Sequence, residues 1–158
     1  MKVAILCGGY GTRIRDVAED LPKPMIPIGG YPIIWHIMKY YASFGHDEFI
    51  LCLGYKSNVI KDYFLNYEAR TTDFSITLGK KDSIEILNNH TEQNWKITFA
   101  ETGLDSMTGT RIKKIQKYIN PGESFMLTYG DGLSNININK LISYHNSHGK
   151  SLTLSGVK

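Results

Sequence analysis

Three glycines, Gly8, Gly9 and Gly11, fall within four positions directly after the apolar run Val3-Ala4-Ile5-Leu6-Cys7. Thr12 and Arg13 follow at once, and Lys23 stands between Pro22 and Pro24 ten residues further on. Glycines let a backbone lie against a bulky ligand with its amides bare. Amides gathered in such a loop form a cradle for an anion. Arg13 offers a planar cationic fork and Lys23 a mobile point charge. Together these residue types at this spacing predict a triphosphate site, with Arg13 and Lys23 as the groups that neutralise charge during reaction. Asp131, in Gly130-Asp131-Gly132, adds a hard oxygen ligand of the kind Mg2+ prefers.

Other glycine loops fit less well. A dinucleotide-binding fingerprint would need a third glycine where Ile14 stands, and an acidic residue after the next strand where Gly54-Tyr55-Lys56 stands. A P-loop would end in Gly-Lys-Ser/Thr, which is absent here. A plain turn after a strand is the remaining alternative for the glycines, as an Asp-Gly turn is for Asp131.

The stretch L-C-G-G-Y-G-T-R followed by K-P-M resembles the signature of sugar-1-phosphate nucleotidylyltransferases, in which alanine normally stands where this chain has Cys7. More narrowly, the chain resembles the glucose-1-phosphate cytidylyltransferases. That likeness rests on Gly30 to Met38, Gly54-Tyr55-Lys56, Glu101-Thr102-Gly103, Ser106 to Arg111 and Thr128 to Gly132. It implies an α/β, Rossmann-like open and mostly parallel sheet with helices on both faces, of the nucleotide-diphospho-sugar transferase type. It further implies a reaction between CTP and glucose 1-phosphate that gives CDP-glucose and pyrophosphate, with Mg2+ held at Asp131. The family's nucleotide contacts carry over to Leu6, Cys7, Gly8, Gly9, Tyr10, Gly11, Thr12, Arg13, Lys23, Ser106, Arg111 and Gly130. In that reading Leu6 to Tyr10 offer backbone groups to the base, and Arg13 faces the outer phosphates. Ser106 and Arg111 hydrogen-bond base or ribose, with a surface arginine as the alternative for Arg111. The family's second acidic metal ligand and most of its sugar-phosphate contacts have no match in residues 1–158. The chain is therefore read as one nucleotidyltransferase domain, 1–158, without the C-terminal sugar-binding part. Two other readings stay open: a nucleotide-binding module without turnover, and the same reaction with UTP or dTTP. Family members form oligomers, so the resemblance also implies a homo-oligomer.

The elements that must position these groups follow from apolar runs alternating with amphipathic stretches, a parallel-sheet pattern. Strands are predicted at Val3–Cys7, Phe49–Leu53, Phe74–Leu78, Trp95–Ala100, Ser124–Tyr129 (a buried strand) and, last, Ser151–Leu154. Pro32 opens a helix that runs to Phe44 and stops at Gly45, with Ile33, Ile34, Ile37, Met38 and Tyr41 inward. A second helix is capped by Ser57, with Val59, Ile60, Tyr63 and Phe64 inward. A third spans Gly109–Ile119 around Ile112, Ile115 and Ile119, and a fourth lies near Asn139–His148. The polar insertion with Asn88-Asn89-His90 is read as an exposed excursion, His90 as solvated, and His36 as a packing or surface residue. Ligands of such sheets gather at the carboxyl ends of strands. That rule is what joins the Gly8 loop and Asp131 into one site.

Composition narrows the classes. The 158 residues are 42% hydrophobic and 21% charged, with a net charge of +3 and no basic run of the kind that binds nucleic acid. No apolar stretch approaches membrane-spanning length, and the first strand begins at once, so neither a membrane partner nor a leader is predicted. Cys7 and Cys52 both fall in apolar strands and are read as reduced core thiols of a cytoplasmic protein.

Overall fold

The computed structural model describes residues 1–10, 21–81, 83–88, 90, 92 and 94–156. The elements run β1 (Val3–Leu6), β2 (Pro27–Ile28), β3 (Tyr31–Pro32), α1 (Ile33–Ala42), β4 (Glu48–Leu53), α2 (Ser57–Leu65), α3 (Tyr67–Thr71) and β5 (Phe74–Ile76). Then come β6 (Ile84–Ile86), β7 (Lys96–Glu101), α4 (Thr108–Ile115), β8 (Met126–Tyr129) and α5 (Ile138–His148). Four strands form a sheet in the order β7-β4-β1-β8, and each neighbouring pair is parallel.

Side chains alternate across a strand, so β1 and β4 each feed two cores. Val3, Ile5, Cys7, Phe49, Leu51 and Leu53 face one side, against Ile34, Ile37 and Met38 of α1 and Ile60 of α2. Ala4, Leu6, Ile50 and Cys52 face the other, against Ile115 of α4. The two central strands are thus buried on both faces, which is why they read as unbroken apolar runs. The predicted α/β sheet with helices on both faces is the observed architecture.

Several boundaries and one element differ from expectation. Pro32 is the residue before α1 and not its first-turn residue, and α1 ends at Ala42, where the chain turns through Gly45. Ser57 is the first residue of α2; the cap position belongs to Lys56, in left-handed backbone. The third predicted helix stops being α-helical at Ile115 and continues as a 3-10 turn, Gln116–Tyr118, with Ile112 and Ile119 only half-buried. Arg111, one turn before Ile115, takes the inward place.

The polar insertion is not featureless. Ile84-Glu85-Ile86 pairs antiparallel with Phe74–Ile76, placing Phe74, Ile76, Ile84 and Ile86 on one face of the ribbon and Ser75 and Glu85 on the other. His90 is not simply solvated. It is half-buried, edge-on to Tyr67 at 5.2 Å, with Glu68 at 3.8 Å and Glu92 at 3.7 Å. Asn89 lies outside the described residues.

β8 was expected to be buried. It is the edge of the sheet, and Leu127 and Tyr129 are 41% and 61% exposed. Residues 151–154 form no strand, because a strand exists only through its ladder and this segment pairs with none among the described residues. Leu152 and Leu154 stand exposed. No helix among the described residues is long and apolar enough to cross a membrane.

Candidate functional site

Because the four strands are parallel, their carboxyl ends share one rim. Cys7 to Tyr10 leave β1 there, Gly54 and Tyr55 leave β4, Thr102 and Gly103 leave β7, and Gly130 and Asp131 leave β8. Backbone bonds lock these ends together. Cys7 N–H donates to Cys52 O at 3.0 Å, Gly130 N–H to Leu6 O at 3.0 Å, Tyr55 N–H to Gly8 O at 3.3 Å and Thr102 N–H to Leu53 O at 3.1 Å. Leu6, Cys7 and Gly8 are buried under the rim, and Gly9 and Tyr10 stand open above it. Tyr10 leans on Tyr55 with ring centres 5.4 Å apart and donates its hydroxyl to Asp105 at 2.8 Å.

On the β8 side, Lys23, Pro24 and Met25 form a 3-10 turn with Pro24 and Met25 buried. Pro24 packs so closely on Gly130 that a Cβ there would lie 3.1 Å from its ring, from Cys7 Sγ and from Leu6 O. This contact places Lys23 Nζ 3.7 Å from Asp131 Oδ2, with the two side chains 22% and 42% exposed. Two residues 108 positions apart in sequence are thus neighbours.

On the β7 side, Arg111 is 5% exposed, so the surface alternative for it is excluded. Its Nη1 donates to Leu53 O at 3.0 Å and Thr102 Oγ1 at 2.6 Å; its Nη2 donates to Gly8 O at 3.0 Å and Leu104 O at 3.1 Å. Ser106 donates to Thr102 O at 2.5 Å, and Lys114 reaches both Thr102 O at 2.7 Å and Ser106 Oγ at 3.2 Å. Glycine is required where these parts meet. A Cβ on Gly8 would fall 2.1 Å from Arg111 Nη1, and one on Gly54 2.7 Å from Gly8 O. Thr102, Gly54 and Asp105 were assigned no role from sequence. The first two do lie in motifs that carried the family resemblance, and that was the available signal.

Leu6, Cys7, Gly8, Gly9, Tyr10, Lys23, Ser106, Arg111, Gly130 and Asp131 therefore gather along one rim. Gly11, Thr12 and Arg13 lie outside the described residues. Cys7 is a buried thiol that donates to Ile5 O at 3.4 Å. Burial raises its pKa well above the usual thiol value, and the proximity of Cys52 and Asp131 adds to the rise. A thiol so held is a packing group and no nucleophile.

As a metal site the β8 end of the rim offers the Asp131 carboxylate, and among the described residues no group of three or more His, Cys, Asp or Glu could hold a metal ion. A single carboxylate suits a cation whose other ligands are phosphate oxygens and water. Asp131 therefore fits Mg2+ that arrives with a nucleotide.

A family model described as nucleotidyl transferase matches residues 2–158. The chain is 51% identical over 158 residues to a protein of Bacillus subtilis (strain 168) named "Probable glucose-1-phosphate cytidylyltransferase". It is 43% identical over 157 residues to the glucose-1-phosphate cytidylyltransferase of Salmonella typhimurium. Each alignment takes in 99% of this chain and 60% of the relative, so the chain spans about 60% of the length of these curated proteins. Among solved structures, HddC from Yersinia pseudotuberculosis complexed with GMP-PN superposes with a TM-score of 0.66 at 30% identity, over 92% of this chain and 54% of that one. A glycine turn at the end of β1, a Lys-Pro-Met turn beside a Gly-Asp turn, and a family match along nearly the whole length agree: the chain belongs to the nucleotidyl transferase family.

Proposed function

We propose that residues 1–158 form the nucleotide-binding part of a cytoplasmic glucose-1-phosphate cytidylyltransferase, which converts CTP and glucose 1-phosphate to CDP-glucose and pyrophosphate. The observation that carries this reading is the meeting of Lys23 and Asp131 at 3.7 Å beside the Gly8–Tyr10 turn. A cationic side chain, a hard oxygen ligand and bare amides are what a triphosphate and its counter-ion require together. The names and identities of the two curated relatives support the choice of CTP and glucose 1-phosphate.

In this reading a phosphate oxygen of the sugar phosphate attacks the α-phosphorus. The bond from that phosphorus to the bridging oxygen of pyrophosphate breaks in line. A phosphate dianion needs no side-chain base, so the chain's part is to hold two anions together and offset charge on the leaving group. The glycine turn, Gly130 and Ser106 line the nucleotide. Lys23 and Arg13 take the charge of the outer phosphates, and Asp131 holds Mg2+. When bound, Mg2+ supplies charge neutralisation at the phosphate oxygens. The sugar-phosphate contacts belong, in this reading, to the part of the relatives' length that the chain does not span. The apolar face of the β5–β6 ribbon supports assembly as a homo-oligomer, since an isolated two-stranded ribbon is marginal in water.

Calorimetry of the chain with CTP and Mg2+, then pyrophosphate release by a protein that spans the relatives' full length, with glucose 1-phosphate and each of four nucleotides, tests the reading. Binding and release with CTP above UTP, dTTP and GTP is the expected result. Binding without release would leave a nucleotide-binding module; no CTP binding would remove the proposal.

A further inference from the structure

Arg111 presents a problem that its four hydrogen bonds solve only in part. Its guanidinium is buried, and among the described residues its acceptors are all neutral, three carbonyls and one hydroxyl, with no carboxylate within ion-pair distance. Burying a charge without a counter-ion is costly. It also stands near the start of α4, where the helix dipole disfavours a cation. A cation kept in such a place against two unfavourable terms does something that a neutral side chain could not do.

What it holds is the carbonyl of Gly8. That oxygen accepts from Arg111 Nη2 and from Tyr55 N–H, and so points into the protein. The peptide that joins Gly8 to Gly9 is planar and trans. In a trans peptide the N–H points opposite to the C=O. The N–H of Gly9 is therefore turned outward, where Gly9 is exposed, no described residue lies within 4 Å of where its Cβ would stand and none accepts from that N–H.

We propose that Arg111 is a positioning residue: by clamping the Gly8 carbonyl inward it aims the Gly9 amide at a phosphate group of the bound nucleotide. This rests on the nucleotide-binding reading above and changes the role of Arg111 within it. The arginine serves the anion through the backbone and leaves base recognition to other groups. Its unneutralised charge, one peptide beneath the amide, adds to the pull on the same anion.

The test uses calorimetry with Mg2+ complexes of CTP, UTP and inorganic tripolyphosphate, together with the Gly9 amide signal in protein labelled with 15N-glycine. Tripolyphosphate has no base, so it reads the amide cradle alone. The wild type should bind all three, and tripolyphosphate should move the Gly9 signal. Arg111→Gln should weaken all three by one common factor, about ten- to a hundredfold for lost charge-assisted bonds, and abolish the Gly9 shift. Arg111→Lys, which keeps charge but not the fork, should recover part of the loss for all three. Thr102→Val, which removes one acceptor and leaves the guanidinium in place, should give a smaller common loss. If Arg111→Gln does not fold, the last two variants carry the same pattern. A loss confined to CTP, with tripolyphosphate binding intact, would overturn the proposal in favour of a direct base contact. Unchanged affinities would overturn it as well. A wild type that binds tripolyphosphate but not CTP would sink the cytidylyl reading and leave this inference to stand or fall on the tripolyphosphate series. A wild type that binds none of the three would sink both.

Discussion

The two flanks of the rim are built on opposite principles. On the β7 side, Arg111 and Thr102 are buried and tie three strand ends with bonds of 2.6 to 3.1 Å. On the β8 side, Lys23 and Asp131 form a looser contact at 3.7 Å, partly in water. A buried network of charge-assisted bonds is rigid, and breaking it leaves orphaned polar groups. An ion pair open to solvent is worth little, on the order of 0.2–1 kcal/mol, and exchanges partners easily. The first flank is finished before a ligand arrives. In the proposed function, the second gives up its internal contact when a phosphate takes the lysine and a cation takes the carboxylate.

If that contrast holds, the largest effect should come from crowding the rigid flank. Gly54→Ala sets a methyl 2.7 Å from Gly8 O and 3.0 Å from Gly103 O, both backbone atoms that cannot swing aside. A loss of about 1–3 kcal/mol is expected, read as a lower denaturation midpoint. An unchanged midpoint would mean that the flank is softer than drawn. Asp131→Asn should instead leave stability within about 0.5 kcal/mol while weakening Mg2+-dependent CTP binding at least tenfold. Paired thermal melts and titrations separate these two outcomes. Lys23→Met should lower CTP affinity and yet raise the affinity for Mn2+ alone, since the carboxylate loses its competing cation; paramagnetic titration of free Mn2+ decides it. A drop in both would show that the pair acts as one unit.

A separate effect concerns pH. Burial pushes the Cys52 thiol up from 9.0 to about 11 and raises Cys7 well above its usual value. The folded state therefore keeps protons that the unfolded chain releases. Stability is fully present below pH 9 and falls as pH rises toward 11. Denaturant melts across that window should show the decline, and replacing both thiols by alanine should make it shallower between pH 9 and 10, below the range in which Tyr63 and Tyr67, raised by burial, add to it.

The sequence made the central strands and the rim legible because both depend on local chemistry. Val3–Leu6 and Phe49–Leu53 are apolar without a break, and Gly8, Gly9, Lys23 and Asp131 lie in short motifs that carry the family resemblance. It did not reveal what depends on partners far along the chain. Arg111 reads from sequence as a contact to base or ribose, or else as a surface arginine, until Gly8, 103 positions earlier, is set beside it. β6 hides in a polar segment because three residues of alternation, Ile84-Glu85-Ile86, are too short to signal a strand without Phe74–Ile76 opposite. Residues 151–154 fail in the other direction: their composition suits a strand, yet no described ladder receives them.

Alternation along β1 carries one more consequence. Odd-numbered residues serve the core beneath α1 and α2, and even-numbered ones the core beneath α4. Removing a single residue from this strand would send every side chain beyond the deletion into the wrong interior and draw the Gly8–Tyr10 segment back by about 3.3 Å. The length of β1 acts as a ruler for the rim, and homologues that vary freely elsewhere should keep it to the residue.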